Sequence, residues 1–175
     1  MKNIKITYKK VDITEKEKLI NLINNVLDRL ERKKFFIPFS NEEINSMFDE
    51  KHAIVYGAYD NDKLVGTAQL YLNDEFVDMI KESLNIKNEL ACEFGGILVL
   101  PEYRCLGIMK RFAAILLNEA RKREYNYVVA VAHPENIASN KAISSTGAKF
   151  MKTDYLGKYY RNMYLLSLND ESNWN

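Results

Sequence analysis

Between residues 93 and 109 the chain reads Glu-Phe-Gly-Gly-Ile-Leu-Val-Leu-Pro-Glu-Tyr-Arg-Cys-Leu-Gly-Ile-Met, and the chemistry this stretch offers is anion binding. Arg104 stands three residues before Gly107, and apolar side chains follow at Ile108, Phe112, Ile115 and Leu116, the spacing of one helical face. A helix N-terminus carries four N–H groups without intrahelical partners and a partial positive charge, so it attracts phosphate. Arg104 adds a fixed cation, and the absent side chain of Gly107 lets an anion approach the backbone. The turn is expected to bind a diphosphate. Three further residues have chemistry to offer: the carboxylate Glu93, whose pKa partial burial beside Phe94 would raise; His133, with its near-neutral imidazole; and Asn136, a residue type that caps helix N-termini.

These residues need a frame. Ile97 to Leu100 is an apolar run short enough for a buried strand, and Pro101, which cannot donate to a ladder, closes it. Gly95-Gly96 within that strand predicts a bulge or a close approach of backbone or ligand. Upstream, residues 4 to 11 alternate as a half-buried strand. A capping box at Thr14 to Glu17 opens a first helix carrying Leu19, Ile20, Ile23, Val26, Leu27 and Leu30, and Ser40 to Glu43 caps a short second one. Ala53–Tyr59 and Leu64–Tyr71 make a hairpin around Asp60-Asn61-Asp62-Lys63, and residues 73 to 84 fit a short helix. Downstream, Tyr127–Ala132 is a continuous apolar strand, a helix follows Asn136 and stops at Gly147, and Lys149–Thr153 and Arg161–Leu168 are the last strands. The order β-α-α-β-β-α-β-α-β-α-β-β predicts a mixed α/β fold.

The segment Arg104-Cys105-Leu106-Gly107-Ile108-Met109 resembles the diphosphate signature [Q/R]-x-x-G-x-[G/A] of the acetyl-CoA-dependent N-acetyltransferases of the GNAT superfamily, matching at Arg104 and Gly107. It departs at Met109, where that family has Gly or Ala, and at Cys105, where Gly is frequent. A second signature, an Asn whose helix ends in Gly and an aromatic, is similar to Asn136 followed by Gly147-Ala148-Lys149-Phe150. The resemblance covers about residues 50 to 168. It implies a central mixed, mostly antiparallel sheet flanked by helices, in which parallel strands four and five splay apart and hold the pantetheine arm. Ile97, Leu98 and Val99 would then pair with pantetheine, chiefly through Ile97 and Val99. Asn136, with Ser139 and Asn140 beside it, would border the same arm. Glu93, eleven residues before Arg104, holds the offset of the base glutamate in the histone-acetylating branch, and His133, just past strand five, is a second base or water-chain candidate. The position where many members carry a tyrosine acid is Ile143, which leaves Tyr155, Tyr159, Tyr160 and Tyr164 as substitutes.

The function implied is transfer of an acetyl group from acetyl-CoA, the acyl donor, to a primary amine of a small molecule or protein in a ternary complex, without a metal. The alternative is a catalytically inactive CoA- or acyl-CoA-binding sensor or partner module of the same fold. Length and composition agree with either. The 175 residues suit a single domain with a polar tail at 169–175, and a net charge of +1 argues against a nucleic-acid partner. Cys92 and Cys105 do not form a disulfide framework. No apolar run suits a signal peptide or a membrane span, so the expected location is cytoplasmic, with the protein a monomer or homodimer.

Overall fold

The computed structural model describes residues 5–169; Ile4 and the tail beyond residue 169 lie outside the described residues. Among the described residues seven strands form one sheet: β1 (Ile6–Lys10), β2 (Ala53–Asp60), β3 (Lys63–Tyr71), β4 (Ala91–Val99), β5 (Tyr127–Ala132), β6 (Lys149–Leu156) and β7 (Tyr159–Ser167). Their order is β1-β2-β3-β4-β5-β7-β6, and all neighbours are antiparallel except β4 and β5. Among the described residues five α-helices flank it: α1 (Lys16–Asp28), α2 (Asn41–Ser46), α3 (Glu75–Ser83), α4 (Ile108–Lys122) and α5 (Ile137–Ser144).

One large core unites Leu19, Leu22 and Val26 of α1 and Phe112 and Leu116 of α4 with Ile54, Leu70, Phe94 and Leu98 of the sheet. A smaller one joins Ile80 of α3 to Val129, Leu156 and Met163. Residues 73–84 do contain a helix, and the reason is local: Asp74 caps it by accepting from the Phe76 N–H at 2.6 Å, and Val77 and Ile80 are buried. The first helix begins differently from its predicted capping box. Asp12, not Thr14, is the cap: its side chain accepts from Thr14 N–H while Glu15 reaches back to the Asp12 N–H, and a 3-10 turn at Ile13–Glu15 leads into α1. The Ser40–Glu43 box forms as expected, with Ser40 Oγ accepting from Glu43 N–H at 3.1 Å.

The β4/β5 pair positions everything that follows. Only Ala91–Tyr127, Cys92–Val128 and Glu93–Val129 are in register; beyond them the strands part. In an antiparallel ladder alternate residues turn their polar groups to alternate sides. Since Leu100 N–H bonds back to Val65 on β3, the backbone groups of Ile97 and Val99 face the open side of β4.

Candidate active site

The gap between β4 and β5 opens into a cleft of about 420 Å³ with Glu93, Gly95 and Gly96 on one wall and Val131 and Ala132 on the other. Gly95 pairs with Gln69 and Leu98 with Thr67, so Gly96 and Ile97 together stand opposite Ala68 alone. That is the bulge predicted from the glycine pair. Gly96 has φ +59°, and a Cβ there would lie 1.6 Å from Gln69 Oε1, so only glycine fits. Behind the bulge a buried chain of donors runs from Tyr71 OH to Gln69 Oε1 (3.4 Å), from Gln69 Nε2 to Thr67 Oγ1 (2.9 Å) and from Thr67 to the Tyr56 carbonyl (3.2 Å).

Glu93 is 6% exposed and pairs across the strands with Tyr71. Burial first, and the nearby Asp74 carboxylate second, push its pKa up from 4.5 to about 8. Tyr71 also lines the cleft; burial, then Glu93, Asp74 and Glu43, hold its phenol well above the ordinary value. The loop from Phe35 to Phe39 roofs the cleft with aromatic and aliphatic side chains, and Phe76 of α3 adds another. Two bridges tie that roof to the β5–α5 turn: Arg32 and Lys34 both reach Glu135, at 2.8 and 2.7 Å.

His133 does not line the cleft. It packs beside Phe35, ring centroids 5.4 Å apart, and its Nδ1 accepts from the Glu135 N–H at 3.2 Å. Burial, then Arg161 and Lys34, lower its pKa, so it is neutral at neutral pH. Its contacts hold the roof loop to the end of β5.

The predicted anion turn has the features that its sequence promised. Arg104, Cys105, Leu106 and Gly107 are exposed, and Gly107 (φ +75°) is the N-cap of α4 without any side-chain cap, so the first-turn N–H groups are left to solvent or ligand. Nothing lies within 4 Å of the place a Gly107 Cβ would occupy. Arg104 Nε donates to the Val99 carbonyl at 3.4 Å, which links the turn to the open edge of β4. Cys105 adopts φ +61°, a strained conformation for a non-glycine residue that explains why glycine would serve better there. Cys92 and Cys105 are both free thiols. Two side chains on the expected coenzyme path belong to the core instead: Ile108 and Leu98 are buried, leaving only their backbones to offer, while Met109 is half-buried.

Asn136 caps α5, accepting from Ser139 N–H at 3.2 Å. Asn140 is a correction to the expected coenzyme surface. Its amide donates to the carbonyls of His133 (2.9 Å) and Asn136 (2.7 Å), and its Oδ1 accepts from Asn162 (2.8 Å) and Tyr164 (2.6 Å). With its polar capacity consumed by the protein, Asn140 is structural. Tyr164 is thereby engaged too, and Tyr155 and Tyr160 lie exposed on the β6–β7 hairpin; of the four C-terminal tyrosines only Tyr159 lines the cleft. Ile143 is buried and apolar. The polar cleft residues Glu43, Tyr71, Asp74 and Arg161 were not anticipated. For Arg161 a signal existed, because it interrupts the inward series Tyr159, Met163, Leu165 with a charge.

The sheet parts after one parallel pair, and an uncapped helix lies beyond its β4 edge. Residues 24–147 match the model of the acetyltransferase (GNAT) family. The chain belongs to that family. Solved structures agree in fold: an N-acetyltransferase from Staphylococcus aureus Mu50 is 17% identical, with a TM-score of 0.71 over 94% of this chain and 98% of its own. The ribosomal-protein-S18-alanine N-acetyltransferase of Escherichia coli is 14% identical, with a TM-score of 0.69 over 98% and 100%. A Salmonella typhimurium protein solved with its cofactor acetyl-CoA is 15% identical, with a TM-score of 0.68 over 95% and 96%. No curated protein matches the chain by sequence. Among the described residues no helix is long and apolar enough to cross a membrane, and no group of His, Cys, Asp and Glu has the makings of a metal site.

Proposed function

We propose that the protein moves an acetyl group from acetyl-CoA to a primary amine bound in the cleft, by direct transfer. The observation that carries this reading is Glu93, a buried carboxylate with a raised pKa at the point where β4 and β5 part. Such a carboxylate is a stronger base than one in water and works near neutral to mildly alkaline pH. The residues present suit the donor. The α4 N-terminus, open over Gly107, and the Arg104 guanidinium would hold a diphosphate, and the backbone of Ile97 and Val99 would pair with a pantetheine amide. Bound there, the thioester supplies the acyl group, a C–N bond forming as the C–S bond breaks.

What this chain contributes is positioning and proton transfer. Glu93 accepts the amine proton as nitrogen becomes acylated. The Phe35–Phe39 roof and Phe76 exclude water from the amine. Asn136 keeps α5 capped below the gap, and Ser139 is held there through its N–H. His133, outside the cleft wall, orients the roof and takes no proton.

The experiment is calorimetric titration with acetyl-CoA and CoA, followed by thiol-release kinetics over an amine panel. Micromolar binding with turnover is expected. Absence of binding would sink the reading. Binding without turnover on any amine would favour a catalytically silent CoA-binding module, for which the apolar Ile143, in place of a tyrosine, is the supporting observation.

A further inference from the structure

The cleft is bipolar. On its β3 side sit three carboxylates, Glu43, Asp74 and Glu93, gathered closely enough around Tyr71 that all three raise its pKa. Among the described residues none of them makes an ion pair; Glu43 and Asp74 accept only from the backbone N–H groups of Ser40 and Phe76. On the far side is Arg161, 4% exposed, on the face of β7 that also carries Met163 and Leu165. Its Nη1 donates to the Tyr160 carbonyl at 2.8 Å and its Nη2 to the Lys34 carbonyl at 3.1 Å, and among the described residues no carboxylate lies within ion-pair distance of it. Two neutral carbonyls hold the guanidinium in place without neutralising it. A buried cation without a counter-charge is costly, and here it faces a cavity that a ligand can enter.

The two charged poles are separated by apolar surface. Val131 lies between them on β5, and the Phe35–Phe39 roof covers both. From Glu93, through its partner Val129 and that residue's partner Leu165, to Arg161 the offset is four residues, about 13 Å along the strands and about 10 Å across two strand spacings, less the reach of two long side chains. A ligand matched to such a cleft carries a cation for the acidic side, an anion for Arg161 and an apolar body in between.

From this charge arrangement we infer that the acceptor is a small amino-carboxylate with an apolar side chain, an amino acid or a molecule of that size, whose carboxylate binds Arg161 while its amine faces Glu93. The inference rests on the amine-acetylation reading and names the substrate class for the same cleft. A planar guanidinium pairs with a carboxylate in bidentate fashion, which fixes the orientation of the molecule as well as its charge. Arg161 is a specificity residue in this scheme, and Glu93 keeps the proton transfer. Fixing the carboxylate at one end aims the amine at the other, so the binding contributes to orientation in the reacting complex.

Two measurements test this, one of them independent of turnover. In the first, L-phenylalanine, L-phenylalaninamide and phenethylamine are compared as acceptors by thiol release with acetyl-CoA. The acid is expected to exceed both carboxylate-free analogues in kcat/KM by roughly 10- to 150-fold, the range of a charge-assisted hydrogen bond. In the second, N-acetyl-L-phenylalanine and its amide are titrated calorimetrically against the CoA-bound protein, and the acid is expected to bind tighter by a similar factor. R161Q should collapse the acid-to-amide ratio to near one in both assays, and R161K should restore part of it. If R161Q does not fold, as judged by circular dichroism, R161K and the wild-type acid-to-amide ratios carry the test. Equal binding of the acid and the amide to the wild type overturns the inference, and so does a preference for the amide or the simple amine, which would leave amine acetylation standing. Turnover of no amine at all would instead fall on the transferase reading, and the titration would still decide the role of Arg161.

Discussion

Glu93→Gln should make the protein more stable and nearly inactive, and the gain in stability should depend on pH in one direction. In the folded protein Glu93 keeps its proton up to about pH 8, whereas an unhindered glutamate releases it near 4.5. Between these values the folded state binds the extra proton, so stability falls as pH rises through the window. At 1.36 kcal/mol per unit the loss amounts to about 3 kcal/mol at pH 7 and about 5 kcal/mol above pH 9. Glutamine has the same shape and no charge to bury, so the variant escapes that penalty. Urea unfolding of both proteins at a series of pH values from 5 to 9 measures the difference, which should be near zero at the acid end, grow with pH and level off above the Glu93 pKa. A difference that stays constant across the series would refute the claim that Glu93 is desolvated in the native state. The same variant should lose roughly 100-fold in kcat while still binding acetyl-CoA, because only the proton acceptor has gone. For the wild type, kcat/KM should rise with pH to a plateau set by the Glu93 ionisation.

Other substitutions separate binding from architecture. Arg104→Ala should weaken acetyl-CoA binding by roughly 1.5 to 3 kcal/mol, read by calorimetry, and unchanged affinity would remove Arg104 from the site. Gly96→Ala forces a Cβ to within 1.6 Å of Gln69 Oε1, and Gln69, fully buried, has no room to swing away. Backbone strain and overpacking together should cost about 3 kcal/mol, lowering Tm by on the order of 10 °C. Gly107→Ala shares the positive φ but meets no atom within 4 Å, so its stability cost should be only about 1 to 2 kcal/mol, with the larger loss appearing in coenzyme affinity. Asn140→Ala strips partners from Tyr164, Asn162 and two backbone carbonyls and should destabilise by about 3 kcal/mol; an effect on acetyl-CoA affinity at full stability would restore Asn140 to the coenzyme surface.

What could be read from the chain was what neighbouring residues decide among themselves. The turn from Arg104 to Gly107 and the helix after it follow from glycine, arginine and helical periodicity within some fifteen residues, and the structure keeps them as read. The Gly95-Gly96 bulge was legible because two glycines in an apolar strand have little other use. Even local chemistry has its ambiguities: Asp12 and Thr14 both offer capping oxygens, and the backbone chose the aspartate two residues earlier. The site was only half legible. Glu93 was singled out by the offset that the family resemblance gave it, but its burial depends on Tyr71 across one strand and Val129 across the other. Asn140 reads as a coenzyme ligand until Tyr164 and Asn162, more than twenty residues away, take up its oxygen.

By itself, then, the sequence determined the order of elements, the exposed glycine turn before α4 and the presence of a carboxylate on the central strand, since propensity, capping and spacing act over a few residues. Only the tertiary structure decided which charges are buried and unpaired. Arg161 is held by a carbonyl 127 positions away and faces carboxylates contributed by α2, β4 and the cap of α3. Desolvation and charge pairing are properties of what surrounds a group in space, and no local pattern encodes that surrounding.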